Sequence, residues 1–256
     1  MGTSLVYSFS DYSGIGPLRW VGLDNYADLF GDPRFAQAWG NTAVFAVVTM
    51  TVGPLLGLLT ALMLNQRIPA RAFFRAVYFV PVTSSLVVVS TLWKLLLNDR
   101  GPVNSVLSTL GLPAHDWLAD PSTSLLAVSA ASIWQGFGFE TVVFLAALQG
   151  IPAELLEAAR MDGAGIWRRF LSVTLPALRP TTLFVFVVGV IGAFQAFDQM
   201  YVMTQGGPVG STTTIVYYIV ERFKNLDLGA ASAAAYLLVL VLVLISVVQL
   251  RIGRER

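Results

Sequence analysis

The chain has no cysteine among its 256 residues and a single histidine. The first absence excludes disulfides, thiolate metal sites and cysteine nucleophiles. The second leaves His115, in a loop of proline and aspartate, as a solvated side chain, because one histidine without nearby cysteines cannot build a structural zinc site. Charge is scarce too: 12% of residues are Asp, Glu, Lys or Arg, against about a quarter in soluble domains. Only two lysines occur, Lys94 before Leu95 and Lys224 before Asn225. Neither closes the Gly-x-x-x-x-Gly-Lys-Ser/Thr loop that cradles nucleotide phosphates. With a net charge of +1 and no basic tract interleaved with aromatics, nucleic acid is not an expected partner.

What is plentiful is apolar. Hydrophobic residues make up 55% of the chain, and the mean hydropathy is +0.69. Five segments exceed the roughly 20 residues at 1.5 Å rise that a bilayer requires: 38–64, 76–97, 123–148, 181–203 and 229–250. Each is too long for a strand, and backbone groups in lipid must pair within their own segment, which only a helix allows. The expected fold class is all-α, a polytopic membrane helix bundle with five visible spans. Residues 1–37 form a polar, turn-rich extracytoplasmic or interfacial segment, in which Trp20 and Tyr26 suit headgroup depth. Residues 38–250 form the transmembrane domain with a long loop at 149–180, and 251–256 a short tail.

Orientation follows from the basic residues. Arg67, Arg71, Arg75, Arg160, Arg168, Arg169, Arg179, Arg251, Arg254 and Arg256 fall on one side, ten of the sixteen. Only Glu154, Glu157, Asp162 and Glu255 accompany them. The excess of arginine marks that side as cytoplasmic, C-terminus included, in the plasma membrane. Met1 is then expected outside, although no signal peptide precedes it.

The most polar stretch, "EAARMDGAGIWRRF" (157–170), lies in the cytoplasmic loop. Pro152 suits a helix start, and Glu154 meets the positive end of the helix dipole. Gly163 stands where a left-handed C-terminal cap belongs. A helix of about ten residues is expected, with one face kept small by Leu155, Ala158 and Ala159. Two roles fit it: docking in a partner's groove, or lying on lipid as an amphipathic connector.

The run Glu157-Ala158-Ala159, then Gly163, Val173, Leu175 and Pro176, resembles the cytoplasmic-loop signature of ABC importer permeases, with Val173 in place of isoleucine. "VGLDNYADLFGDPRF" (21–35), "NTAVF" (41–45), "FRAVYFVP" (74–81), "WLADP" (117–121) and "AFDQMYVMTQGGP" (196–208) are similar to the carbohydrate-uptake branch, and to the first of its two permease subunits, of the maltose, glycerol-phosphate and trehalose type. The resemblance implies type I permease architecture and a non-enzymatic subunit that moves a sugar by alternating access. It implies a second permease subunit, a nucleotide-binding ATPase dimer that holds ATP and magnesium, and an extracytoplasmic solute-binding protein as partners within the lipid membrane. This chain itself is expected to carry no cofactor and no metal. Glu157, Ala158, Ala159, Asp162, Gly163, Leu175 and Pro176 are the implied ATPase-coupling residues, and Gly206-Gly207-Pro208 is implied to face the binding protein. The family's six or more spans, against five here, imply a further apolar helix before Met1.

Polar residues inside the spans are candidates for the substrate pathway. Glu140 sits mid-span, where an acid costs about 2.5–3.5 kcal/mol on insertion scales. Gln135, Gln195 and Asp198 are the other strongly polar side chains, with Trp134 and Tyr201 among the neighbouring aromatics. Sugars offer both CH faces and hydroxyls, so aromatic faces paired with amides and carboxylates suit them. The same residues also suit interhelical hydrogen bonds that only hold the bundle together. An ion-gradient-driven secondary transporter is the alternative function, but Glu140 and Asp198 are a thin relay. An intramembrane serine protease would need a histidine within a span.

Overall fold

A computed structural model describes residues 2–66 and 71–254. Met1, Arg67, Glu255 and Arg256, which bear on the expected orientation, lie outside the described residues. The regular structure among the described residues is nearly all helix. The one strand pair among the described residues, Ser10–Asp11 with Arg19–Trp20, is antiparallel in the polar N-terminal segment. Gly14 and Gly16, at φ +82° and +99°, reverse the chain between the two strands.

Among the described residues, three helices are long and apolar enough to cross a membrane unbroken: Pro33–Leu64, Ser124–Gln149 and Leu228–Arg251. They match the spans expected at 38–64, 123–148 and 229–250, except that the first begins five residues early. Asp32 explains the early start. Its carboxylate accepts the Arg34 N–H at 2.8 Å, and Pro33 at the first helical position lacks a donor that would otherwise go unpaired. At about 48 Å the helix is longer than the roughly 30 Å hydrocarbon core.

The other two spans are corrected to bent pairs. The stretch read as 76–97 is broken between Thr83 and Leu86. Pro81 removes a backbone donor near the end of the first helix. The Thr83 and Ser84 hydroxyls both turn back onto the Val80 carbonyl, at 3.0 Å each, competing with the helical ladder. The stretch read as 181–203 stops at Phe194, and a separate short helix, Asp198–Met203, follows. The Ala196 carbonyl freed there accepts the Thr214 hydroxyl at 2.9 Å. On its other side the Arg179–Phe194 helix meets Ile166–Ala177 at 60°.

The chain forms two compact units. One comprises Met1–Thr49, Ser85–Ser132 and Ile191–Val247. Its buried residues include Phe45, Val128 and Met200 in one cluster, and Leu29, Phe35, Ile215 and Tyr218 in another. The other unit comprises Met50–Ser84, Ile133–Val190 and Val248–Arg256. It is centred on Leu64, Phe144, Leu145, Leu148 and Leu178.

Candidate functional site

The polar stretch of loop 149–180 folds into a helix, Ala153–Met161, with none of its residues buried. Pro152 precedes it and Glu154 occupies its first turn. Gly163 closes it at φ +74°. The Ala164 N–H reaches back to the Ala159 carbonyl and the Gly163 N–H to that of Arg160, both at 3.0 Å. This left-handed cap satisfies carbonyls that would otherwise be orphaned. Glu157, Ala158, Asp162 and Gly163 are exposed and Ala159 is half-buried. Beside them Met161, Ile166 and Trp167 are 88%, 77% and 78% exposed. The chain then passes through a π-helical stretch, Phe170–Thr174, in which the Leu175 N–H reaches the Phe170 carbonyl. A wider turn relieves the crowding that Pro176 imposes on the preceding carbonyls. Leu175 remains exposed and Pro176 half-buried, while Leu178 is wholly buried with Leu145 and Leu148.

Glu140 is 8% exposed and Oε2 finds no hydrogen-bond partner among the described residues. It lies against the Pro33–Leu64 helix where Gly53 and Gly57 leave room. A Cβ on Gly53 would sit 3.0 and 3.1 Å from the two carboxyl oxygens. One on Gly57 would sit 2.7 Å from the Glu140 Cβ. The Gly-x-x-x-Gly spacing thus opens a groove on one helix for a carboxyl on another. Gln135, five residues earlier, meets a different neighbour: its amide donates to the Ser84 carbonyl at 3.1 Å, which the break at Ser84–Ser85 had released. Trp134 is exposed. The structure therefore does not bring Gln135 and Glu140 onto one contact.

Gln195, Asp198 and Tyr201 belong to the other unit. Gln195 is exposed at the break after Phe194, and Asp198 opens the short helix half-buried. Tyr201, one turn on, stacks on Phe197 at 5.2 Å. The Lys224 ammonium lies 4.3 Å from the Tyr201 ring centre, and Lys94 donates to the Val202 carbonyl at 3.3 Å.

Beside this cluster is a feature the sequence reading missed: a cleft of about 430 Å³ lined by Arg34, Gln37, Gln205, Tyr217 and Glu221 with the glycines of the 205–210 turn. Gln37 and Asn41, four residues apart, share one face of the Pro33–Leu64 helix; that polar stripe was the available signal. An ion-pair cluster lies nearby in the same unit. Arg222 bonds Asp32 at 2.5 Å and Asp227 at 3.0 Å, and the Tyr218 hydroxyl donates to Asp32 at 2.7 Å. Burial first, then that bond to Asp32, pushes the Tyr218 phenol up to about 12. Burial works against the Asp32 carboxylate, but its bonds from Tyr218, the Arg34 N–H and Arg222 together hold it below the usual carboxylate range.

Comparison with known proteins adds to this geometry. A family model described as "Binding-protein-dependent transport system inner membrane component" matches residues 53–254. The trehalose/maltose transport system permease protein MalF of Thermococcus litoralis is 34% identical, over 100% of this chain and 87% of the relative. The lactose transport system permease protein LacF of Rhizobium radiobacter is 36% identical, over 99% and 87%. Among solved structures, a bacterial ABC transporter involved in the import of the acidic polysaccharide alginate is similar with a TM-score of 0.88, at 26% identity, covering 99% of this chain and 88% of that one. A second alginate transporter structure, in complex with an alginate pentasaccharide-bound periplasmic protein, gives 0.83 at 26% identity, covering 91% and 83%.

Proposed function

The chain belongs to the family of binding-protein-dependent transport system inner membrane components, and we propose that it is a transmembrane subunit of an ATP-driven importer for a sugar or related carbohydrate. The named substrates of the relatives, trehalose, maltose, lactose and alginate, support that class. In this reading the chain is not itself an enzyme. Nucleotide and magnesium bind a separate pair of ATPase subunits, a second permease subunit completes the pathway, and a solute-binding protein delivers the sugar from outside. The arginine-rich side and the C-terminus face the cytoplasm.

The observation that carries the reading is the Ala153–Met161 helix at the signature segment, none of whose residues is buried. A helix that buries nothing in its own chain is held by a left-handed cap at one end and a first-turn acid at the other. Its neighbouring apolar residues face outward, as a docking surface requires. ATP hydrolysis in the partner supplies the motion. This chain's part is to receive it on a rigid element of about 14 Å. It passes that motion through the π-helical stretch to Leu178, which is anchored in the core at the foot of the Arg179–Phe194 helix. Such alternating access lets one site open to each side in turn. Family membership argues against the ion-gradient alternative, which needs no such helix.

The test is reconstitution with the two ATPase subunits, the second permease and the binding protein in proteoliposomes. Sugar uptake is expected only with ATP and loaded binding protein together. Uptake driven by an ion gradient without ATP would sink the reading.

A further inference from the structure

We propose that the cleft formed by Arg34, Gln37, Gln205, Tyr217 and Glu221 is a saccharide site on the extracytoplasmic face, where the sugar rests before it enters the membrane; this rests on the reading above that the importer moves a carbohydrate. At about 430 Å³ the cleft falls within the roughly 300–1,000 Å³ of small-molecule sites.

Its lining has the chemistry a sugar ring uses. Tyr217 presents an aromatic face, continued by Phe197 at 6.0 Å and Tyr201 at 6.4 Å between ring centres. Gln37 and Gln205 bring amides, each both donor and acceptor. At the rim Arg34 and Glu221 pair at 2.5 Å through one guanidinium nitrogen and one carboxylate oxygen. That pairing holds a fork of donors next to an acceptor, the complement of two neighbouring hydroxyls.

The cleft is also held open by its own backbone. Gln205, Gly206, Val209 and Gly210 all lie in the left-handed region, at φ +54°, +80°, +49° and +75°. Two of these are not glycine, and Val209 is β-branched, so the turn is strained and something must hold it there. The Tyr217 hydroxyl donates to the Gln205 carbonyl at 2.7 Å and the Thr213 hydroxyl to that of Gly206 at 3.0 Å. Gln37 donates to Val209 at 3.2 Å and Asn41 to Gly210 at 2.8 Å. The same glycines keep the space clear: a Cβ on Gly206 would come within 2.7 Å of the Tyr217 ring, and one on Gly210 within 3.0 Å of Gln37. A strained turn, tied at four carbonyls beside an aromatic ring, is a pre-formed cavity and costs little further ordering when a ligand enters. A binding protein docking on this face is the competing occupant. The concavity and its polar lining favour the small ligand, whereas Val209, 87% exposed, offers an apolar knob to a protein.

The absence of native cysteine makes the test direct. Gln205→Cys inside the cleft and Val209→Cys on its rim are made separately in the assembled importer in proteoliposomes. Labelling by a membrane-impermeant thiol reagent is followed with free maltose, trehalose or lactose, with and without binding protein. Free sugar alone is expected to slow labelling at 205 several-fold and at 209, on the exposed edge of the lining, much less, while loaded binding protein slows 209. Glu221→Gln, combined with the 205 reporter, is expected to raise the half-protecting sugar concentration several-fold. If the importer takes up one of these sugars but that sugar protects 205 only when binding protein is present, or slows 205 and 209 equally, the cleft is a protein interface or a general closure and the proposal fails, with the transport reading intact. If ATP is hydrolysed with the binding protein present but no mono-, di- or oligosaccharide is taken up or protects 205, both fail.

Discussion

A methyl group on Gly57 would lie 2.7 Å from the Glu140 Cβ and 3.1–3.2 Å from the backbone of residues 140 and 141. Neither neighbour can swing away, so Gly57→Ala forces the two helices apart, an overpacking that costs about 1–3 kcal/mol. The same change at Gly53 meets only the carboxyl oxygens, which rotate more cheaply. The expected order is therefore a larger fall in thermal midpoint for Gly57→Ala than for Gly53→Ala, measured on the purified complex. Glu140→Ala is expected to relieve Gly53→Ala, because the clashing oxygens go. It leaves Gly57→Ala unrelieved, because the clashing Cβ stays. Equal rescue of both would contradict the geometry. Glu140 was legible in the sequence as an acid too costly to face lipid, and the Gly-x-x-x-Gly spacing was printed there as well. That the one answers the other depends on how two distant segments cross. Asp32 carries a second residue-scale expectation. Its carboxylate is held below its unfolded value, so its contribution to stability is present above the ordinary carboxylate pKa and lost as pH falls through the lowered one. Asp32→Asn is expected to flatten the acid side of a plot of thermal midpoint against pH. An unchanged acid limb would contradict this.

At the scale of the element, three spans were legible to within a few residues, and in the other two the apolar length was legible but the bend was not. Hydropathy averages over a window and registers apolar length. A bend at Ser84–Ser85 or after Phe194 is a backbone event inside an apolar run, and it leaves the average unchanged. Its causes were local and readable: Pro81 without a donor, and hydroxyls at Thr83 and Ser84 turned onto one carbonyl. The coupling candidate was the opposite case, because Glu154, Gly163 and the polarity between them are local signals, and they produced the helix and cap expected. Two variants ask what that element does. Gly163→Pro sets φ near −65° where +74° is needed, which undoes the cap, and Glu157→Lys reverses a charge on an exposed face. Neither touches a buried residue, so membrane abundance is expected to stay close to the parent's. Stimulation of ATPase activity by loaded binding protein is expected to fall about tenfold or more, the loss of roughly 1.4 kcal/mol of coupling. Full stimulation in both variants would show that the helix is only a connector.

At the scale of the molecule, the basic residues make the orientation testable without any partner. Arg160, Arg168, Arg169 and Arg179 crowd the segment that carries the exposed helix, and Arg251 ends the last described span. Arginine resists translocation, so this side is expected to stay in the cytoplasm whatever the chain assembles with. The helix from Ala153 to Met161 has no apolar run long enough to re-enter lipid, and its acids Glu154 and Glu157 are exposed. A single cysteine at Glu154 is therefore expected to resist a membrane-impermeant thiol reagent in intact cells and to label fully once the membrane is opened. A second at Gln249, in the last helix but two residues before Arg251, tests whether the arginine-rich tail ends on the same side, and is expected to label only after permeabilisation. The cysteine-free background gives each reporter one site, so the two answers are independent. Labelling of Glu154→Cys in intact cells would invert the orientation. It would also remove the exposed helix from the compartment in which an ATPase could reach it, and so overturn the coupling role at the same stroke.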